Sequence, residues 1–99
     1  MKKQINKLVR DNIPSLCKNP VTKILDDADY AAALKQKLNE EVGEYLQDNT
    51  IEELADIIEV IEALAETQGS SLKEVMDLKQ RKQSKNGAFR NRVFLISVD

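Results

Sequence analysis

Apolar residues recur at steps of three and four along the middle of the chain, a spacing that predicts amphipathic α-helices. The first predicted helix spans residues 29–48, with Asp29 as its N-cap. Gly43 interrupts this run, and its missing side chain would allow a neighbouring helix to approach closely. The apolar stripe of the helix consists of Tyr30, Leu34, Leu38, Val42, Tyr45 and Leu46.

A second helix is predicted over residues 51–67. Thr50 is a favourable N-cap, and Glu53 follows it at the spacing of a capping box, in which each residue satisfies a backbone N–H of the other. Gly69 is placed to end this helix in the left-handed conformation, which glycine adopts without steric cost.

A third helix is predicted over residues 71–85. Ser71 and Glu74 repeat the capping-box spacing, and Gly87 follows as a stop signal. The basic residues in its last turns suit the negative end of the helix dipole. Three predicted helices with short links indicate one domain over residues 1–99, mainly α, with an antiparallel helical hairpin or bundle at its centre.

The two ends of the chain are less periodic. Residues 11–12 are expected to cap a short helix that has Pro14 in its first turn. The tail over residues 92–98 is rich in β-formers, and residues 4–9 are a candidate partner for it, because a lone strand is not stable. A short terminal β-pairing is therefore a second expectation.

Charge is distributed unevenly, although the net charge is only −2. Residues 26–66 hold thirteen acids and two lysines, whereas residues 1–25 and residues 67–98 each have a balance of +5. The small net charge points away from a nucleic acid polymer or a membrane as partner. An acidic centre between basic ends fits a metal site flanked by phosphate-binding side chains. On charge alone, solvated helix faces whose charges offset one another are the favoured interpretation.

The chain has one cysteine and no histidine, which excludes Ser-His-Asp and Cys-His catalytic machinery and a His-containing zinc site. Any metal must be a hard cation held by carboxylates. A single cysteine cannot form an internal disulfide, which is typical of a cytoplasmic protein. No apolar run approaches the roughly 20 residues of a membrane span, and no signal-peptide core follows the basic N-terminus.

Four acids occupy unusual positions on the first two predicted helices. On a helical wheel, Glu53 falls inside the apolar arc of the second helix and Asp56 falls at its border. Glu41 lies at the edge of the apolar stripe of the first helix, and Glu44 lies one i,i+3 step further on the same flank. Because the link at residues 48–49 is short, the helices should be antiparallel neighbours, and both acid pairs should lie at one end of the hairpin.

An acid inside an apolar arc is costly to bury unless its charge is compensated, and Mg²⁺ would supply the compensation. The alternative is a non-enzymatic helical interaction module in which the acid pairs arise by chance, since 32% of the residues are charged. Glu53 would then serve only as the capping partner of Thr50. Geometry alone leaves both interpretations open.

The segments Glu40-Glu41-Val42-Gly43-Glu44 and Glu53-Leu54-Ala55-Asp56 resemble the EExxE…ExxD signature of the MazG-like, all-α nucleoside triphosphate pyrophosphohydrolases. Residues 7–11 and 85–89 resemble the phosphoribosyl-ATP pyrophosphohydrolase-like, house-cleaning branch of that superfamily. The resemblance covers nearly the whole chain. The chain departs from it in the gap of only eight residues between Glu44 and Glu53, and in Ala88, where this branch often has a second glycine.

The resemblance implies Mg²⁺-dependent (or Mn²⁺-dependent) hydrolysis of a nucleoside triphosphate to a monophosphate and pyrophosphate. It implies metal ligation by Glu41, Glu44, Glu53 and Asp56, and orientation of the attacking water by Glu40 or Glu41. Relatives assemble as dimers or tetramers through four-helix bundles, so a homodimer or homotetramer is expected. Phosphoribosyl-ATP is an alternative substrate, and nothing indicates the base or the sugar. The candidates for phosphate contact are Lys7, Arg10, Lys82, Lys85 and Arg90.

Overall fold

A computed structural model describes residues 3–99, and it is mainly α-helical as the sequence predicts. A short 3-10 helix, Pro14–Leu16, precedes three α-helices: α1 (Asp27–Asp48), α2 (Ile51–Thr67) and α3 (Leu72–Asn86). Within residues 3–99 there is no β-strand. None of the helices in this part of the chain has the combination of length and apolar character that crossing a membrane requires.

The start of α1 differs from the prediction by two residues. Asp26, not Asp29, is the N-cap, and its side chain accepts a hydrogen bond from the Asp29 backbone N–H at 2.8 Å. Asp29 therefore lies in the first turn, where a negative charge interacts favourably with the helix dipole. The C-cap of the helix is Asn49, which has φ +56° and donates its N–H to the Tyr45 carbonyl. Asparagine tolerates this left-handed conformation better than most residues.

The helix α2 has the predicted bounds and caps. The Thr50 hydroxyl accepts from the Glu53 N–H at 3.4 Å. At the other end, the Gly69 N–H donates to the Glu66 carbonyl and the Ser70 N–H donates to the Ala65 carbonyl, with Gly69 at φ +74°. This pair of bonds is a Schellman motif, which satisfies carbonyls that the helix end leaves without partners.

The hairpin of α1 and α2 forms the body of the fold, and α3 packs against α2. Only three apolar side chains are buried among the described residues: Leu34 on α1, and Val60 and Ala65 on α2. Glu41 is buried with them, seven residues after Leu34 and thus on the same face of α1. A carboxylate therefore occupies a position in the helix register that a core residue would normally take.

The chain is extended for its size. Its Cα radius of gyration is 17.7 Å, whereas a compact chain of this length has about 13 Å. It exposes 9212 Å² of surface, whereas a compact monomer of its mass exposes about 5,700 Å². Much apolar side-chain surface is therefore left uncovered when one copy of the chain is considered.

The expected terminal β-pairing is wrong. Residues 92–98 are exposed, and neither they nor residues 4–9 belong to a strand. The N-terminal segment is instead held by side-chain ion pairs, from Lys7 to Glu40 and from Arg10 to Asp56. The β-prone tail consequently has no backbone ladder to join.

The short helix with Pro14 in its first turn is present as predicted, but its cap is not. This 3-10 helix begins after Ile13 without a side-chain cap, so residues 11–12 do not cap it. The Asn12 carbonyl instead accepts from the Ser15 hydroxyl at 2.8 Å. Gly43 does not mark a close helix contact, because it is exposed and a Cβ at its position would meet nothing within 4 Å.

The two helix-associated glycines should respond oppositely to alanine. Gly43→Ala should raise the free energy of unfolding by about 0.5–1 kcal/mol, because alanine is the better helix former and has open space there. Gly69→Ala should lower it by about 1–2 kcal/mol, because alanine is strained at positive φ. Urea denaturation of both variants checks this, and shifts of the same sign would contradict the two assigned conformations.

Candidate metal centre

Five acids converge near the link between α1 and α2. On α1, one carboxylate oxygen from each of Glu40, Glu41 and Glu44 lies within 4.8 Å of the other two. A second triplet with the same spacing consists of Glu41, Glu53 and Asp56, and it joins the two helices. Glu41 belongs to both triplets. The two i,i+3 acid pairs anticipated on the helical wheels thus come together at one end of the hairpin.

Glu41 is the most unusual member of this cluster. Its residue surface is 6% exposed, and its Oε2 atom is buried without a hydrogen-bond partner. The Lys37 ammonium lies 3.4 Å from the other oxygen, Oε1. Burial raises the pKa of Glu41, Lys37 opposes this, and the charges of Glu44 and Asp56 raise the pKa further. The folded chain therefore holds this carboxylate where its negative charge is poorly compensated.

Glu53, which lies on α2, also has a raised pKa because it loses hydration and is close to other acids. Its pKa is raised by loss of hydration, then by the neighbouring charge of Glu44, by Asp48 through charge and a hydrogen bond, and by the charge of Asp56. Each of these neighbours is an acid. Like charges this close favour either a bound proton or a bound cation.

Three basic residues border the cluster. Lys37 lies 3.4 Å from oxygens of Glu40 and of Glu41, and the Lys7 ammonium lies 3.0 Å from Glu40 Oε1. Burial acts to raise the pKa of Glu40, but the hydrogen bond from Lys7 and the charges of both lysines outweigh it and lower the pKa. The hydrogen bond to Glu40 and the charge of Glu40 raise the pKa of Lys7 in return. Glu40 is thus a neutralised carboxylate, unlike Glu41.

Arg10 interacts with the α2 side of the cluster. Its Nη2 donates to Asp56 Oδ1 at 2.7 Å, and its Nη1 lies 3.4 Å from Glu59 Oε1. Lys7 and Arg10 therefore connect the N-terminal segment to different helices. The side chains involved in the Arg10 pairs are between 37% and 54% exposed, so solvent screens these interactions.

The donor set fits a small hard cation. Carboxylate oxygens are the protein ligands that Mg²⁺ and Mn²⁺ prefer, and Mg²⁺–oxygen distances of about 2.1 Å place opposite ligands about 4.2 Å apart. Within each triplet the carboxylate oxygens lie within 4.8 Å of one another, so small side-chain adjustments would let one ion contact all three. The buried Oε2 atom of Glu41, which has no hydrogen-bond partner, is a second feature that a bound cation would satisfy.

The structure brings some of the sequence-predicted residues together and leaves others apart. Glu41, Glu53 and Asp56 share one triplet, Glu44 joins Glu41 and Glu40 in the other, and Lys7 and Arg10 contact the cluster. By contrast, the described chain shows no hydrogen bond or ion pair between these acids and three of the predicted phosphate contacts, Lys82, Lys85 and Arg90.

Sequence reasoning missed Lys37 and Glu59. A signal for Lys37 existed, because a lysine followed by acids three and four residues later pairs with them on a helix surface. Glu59 gave no such signal, because the wheel places it on the solvent face and its partner Arg10 comes from a segment without periodicity.

Comparison of the chain with protein-family models, with curated proteins and with solved structures found no match in any of the three.

Neutralising Glu41 should stabilise the metal-free chain. Glu41→Gln should raise the free energy of unfolding at neutral pH by about 1 kcal/mol, because it removes a poorly compensated buried charge. A raised pKa means that the stability associated with Glu41 is fully present below its ordinary value of 4.5 and is lost as the pH rises through the raised value. The advantage of the variant should therefore be small near pH 4.5 and larger at pH 7.

Thermal unfolding in chelator across this pH range measures the difference. A constant advantage at every pH would mean that packing, not charge, is responsible. Glu66→Gln is the matched control, because Glu66 is an exposed acid near the far end of α2.

Proposed function

We propose that this protein is a Mg²⁺-dependent nucleoside triphosphate pyrophosphohydrolase of the MazG-like superfamily. The observation that carries the proposal is the buried, unpartnered Oε2 atom of Glu41, which belongs to both acid triplets. An interaction surface does not require a buried carboxylate oxygen that has no hydrogen-bond partner. A site for a divalent cation does need one, because the ion offsets the cost of burying it.

The proposed metal ligands are the four acids that the family signature matches. Glu41, Glu53 and Asp56 supply oxygens from two helices, and Glu44 adds an oxygen from the last turns of α1. When bound, the ion would neutralise triphosphate oxygens and polarise the phosphorus for attack by water. Lys37, fixed between Glu40 and Glu41, holds the orientation of both carboxylates.

Glu40 and Glu41 remain the candidates for orienting the attacking water. Glu40 is 27% exposed at its side chain and so is accessible to water, whereas Glu41 is more deeply placed. The lowered pKa of Glu40 keeps its carboxylate ionised, so it can accept a hydrogen bond from water and orient it. Glu40 is therefore the preferred water-orienting residue, with Glu41 in the metal site.

Products of this reaction are a nucleoside monophosphate and pyrophosphate, from cleavage of the α–β phosphoanhydride. The house-cleaning branch that the sequence resembles suggests damaged or modified nucleotides as substrates, and phosphoribosyl-ATP is the alternative within the same chemistry. The proposal places the protein in the cytoplasm, where nucleoside triphosphates and Mg²⁺ are both available.

Removing ligand charge on α2 should abolish turnover without unfolding the protein. Glu53→Gln and Asp56→Asn should each reduce pyrophosphate release by at least about 100-fold, because loss even of a partner one shell beyond the metal costs about 10- to 100-fold, and a direct ligand should cost more. Release is measured on ordinary, deoxy and damaged triphosphates, with Mg²⁺ and with chelator. Glu66→Gln should retain the wild-type rate.

Thermal unfolding of the same variants provides a second measurement. Mg²⁺ should raise the melting temperature of the wild type, since a ligand of the native state stabilises it, but should not raise that of either ligand variant. Folded protein that shows neither Mg²⁺-linked stabilisation nor pyrophosphate release would instead favour the interaction module.

Self-association is also proposed, and the uncovered apolar surface favours it. Ile51, Leu54 and Ile58 recur on one side of α2 and are 77%, 38% and 48% exposed. Leu46 on α1 is 70% exposed. Apolar patches of this kind commonly mark contacts between protein chains. A homodimer or homotetramer would cover them and account for the extended shape of one copy.

Analytical ultracentrifugation should find a species larger than the 11.2 kDa monomer. Ile58→Glu should shift that species toward the monomer, because burying an unpaired charge in a contact is costly. Gln80→Glu, at an exposed position of α3, adds the same single negative charge and is the control. A monomeric wild type at micromolar concentration would contradict the assembly.

A further inference from the structure

The N-terminal segment carries two cations that reach the acid cluster from outside the hairpin. Lys7 and Arg10 are separated by Leu8 and Val9, which are half-buried. Lys7 pairs with Glu40 on α1, and Arg10 pairs with Asp56 and Glu59 on α2. We call residues 7–10 the cation strap, because its charged ends join the two helices beside the acids.

The shortest of these contacts involves a proposed metal ligand. Arg10 Nη2 lies 2.7 Å from Asp56 Oδ1, and Asp56 belongs to the triplet that spans α1 and α2. A guanidinium at this distance neutralises part of the carboxylate charge that a divalent cation would otherwise neutralise. The same positive charge repels an incoming cation. Arg10 and the metal ion therefore compete for Asp56.

Once it is displaced from Asp56, the Arg10 side chain is free to bind a second kind of partner, a phosphate, at the edge of the acid cluster. Its planar fork of donors suits the oxygens of a phosphate, to which arginine binds in a bidentate manner. Its side chain is 54% exposed, so it can turn toward a ligand without breaking the hairpin. A metal-bound triphosphate would bring such oxygens to the edge of the cluster.

We propose that Arg10 exchanges partners during binding: it neutralises Asp56 in the metal-free protein and moves to a phosphate of the triphosphate when metal is bound. This inference rests on the proposed metal site, but it does not require turnover. The cation strap would then couple metal binding to phosphate binding, because the metal releases Arg10 from Asp56 and Arg10 then binds the phosphates. Arg10 is thus a competitor of the metal for Asp56 and a binding residue for the substrate.

Binding measurements on the full chain test the exchange. Calorimetry with Mn²⁺ alone, without nucleotide, should show a Kd for Arg10→Gln that is about two- to fivefold lower than that of the wild type, the size expected for loss of an exposed ion pair. With Mn²⁺ saturating, inorganic tripolyphosphate should bind Arg10→Gln about tenfold more weakly, the size expected for loss of a charged hydrogen bond. The two effects have opposite signs, which a merely structural role of Arg10 would not produce.

Two further variants separate the effect of the positive charge of Arg10 from the effect of its bidentate guanidinium geometry. Arg81→Gln removes the same charge from an exposed position on α3 and should leave both Kd values unchanged. Arg10→Lys keeps the charge but not the fork, so Mn²⁺ affinity should stay near the wild type while tripolyphosphate affinity falls. Circular dichroism establishes that each variant is folded.

Unchanged or weaker Mn²⁺ binding by folded Arg10→Gln would overturn the exchange, as would unchanged binding of tripolyphosphate. Absence of Mn²⁺ binding in both the wild type and Arg10→Gln would overturn it together with the metal site. Failure of pyrophosphate release alone would count against the proposed enzymatic function, while the two binding results would still decide the exchange.

Discussion

The buried negative charge of Glu41 is the constraint on which the acid end of the hairpin depends. Its carboxylate follows Leu34 at a spacing of seven residues, so α1 cannot pack against α2 without covering it. Four other acids lie close to it, and Lys37 approaches only one of its oxygens. The approach of Lys37, the raised pKa of Glu41 and the proposed cation all relate to this one placement.

The helices were predictable from sequence because local signals determine them. The bounds of α2 follow from Thr50 and Gly69, whose capping preferences act within one turn. The convergence of Glu41, Glu53 and Asp56 was also predictable, because helical periodicity and a short link fix which faces meet. The error at the start of α1 has a local cause too, since that helix begins among several aspartates and the pattern does not say which one caps it.

Contacts between distant segments could not be predicted in this way. Lys7 and Arg10 were singled out through resemblance, but their partners Glu40 and Glu59 lie 33 and 49 residues away in sequence. Exposed ion pairs between residues so far apart produce no periodic pattern in the sequence, and each contributes little to the free energy of folding. The failed β-pairing has the same origin, because β-propensity shows that a segment suits a strand but does not show whether a partner is within reach.

The exposed C-terminal tail affects the solubility of the chain and the selection that acts on its flanking residues. Its run of residues 93–98 is exposed, lacks charge and proline, and is rich in β-formers. Such windows are able to stack into cross-β aggregates when nothing covers them. Arg90 and Arg92 precede the run and Asp99 follows it, so charge brackets it on both sides. These flanking residues act as gatekeepers, and selection on them would concern solubility even if they never touched a substrate.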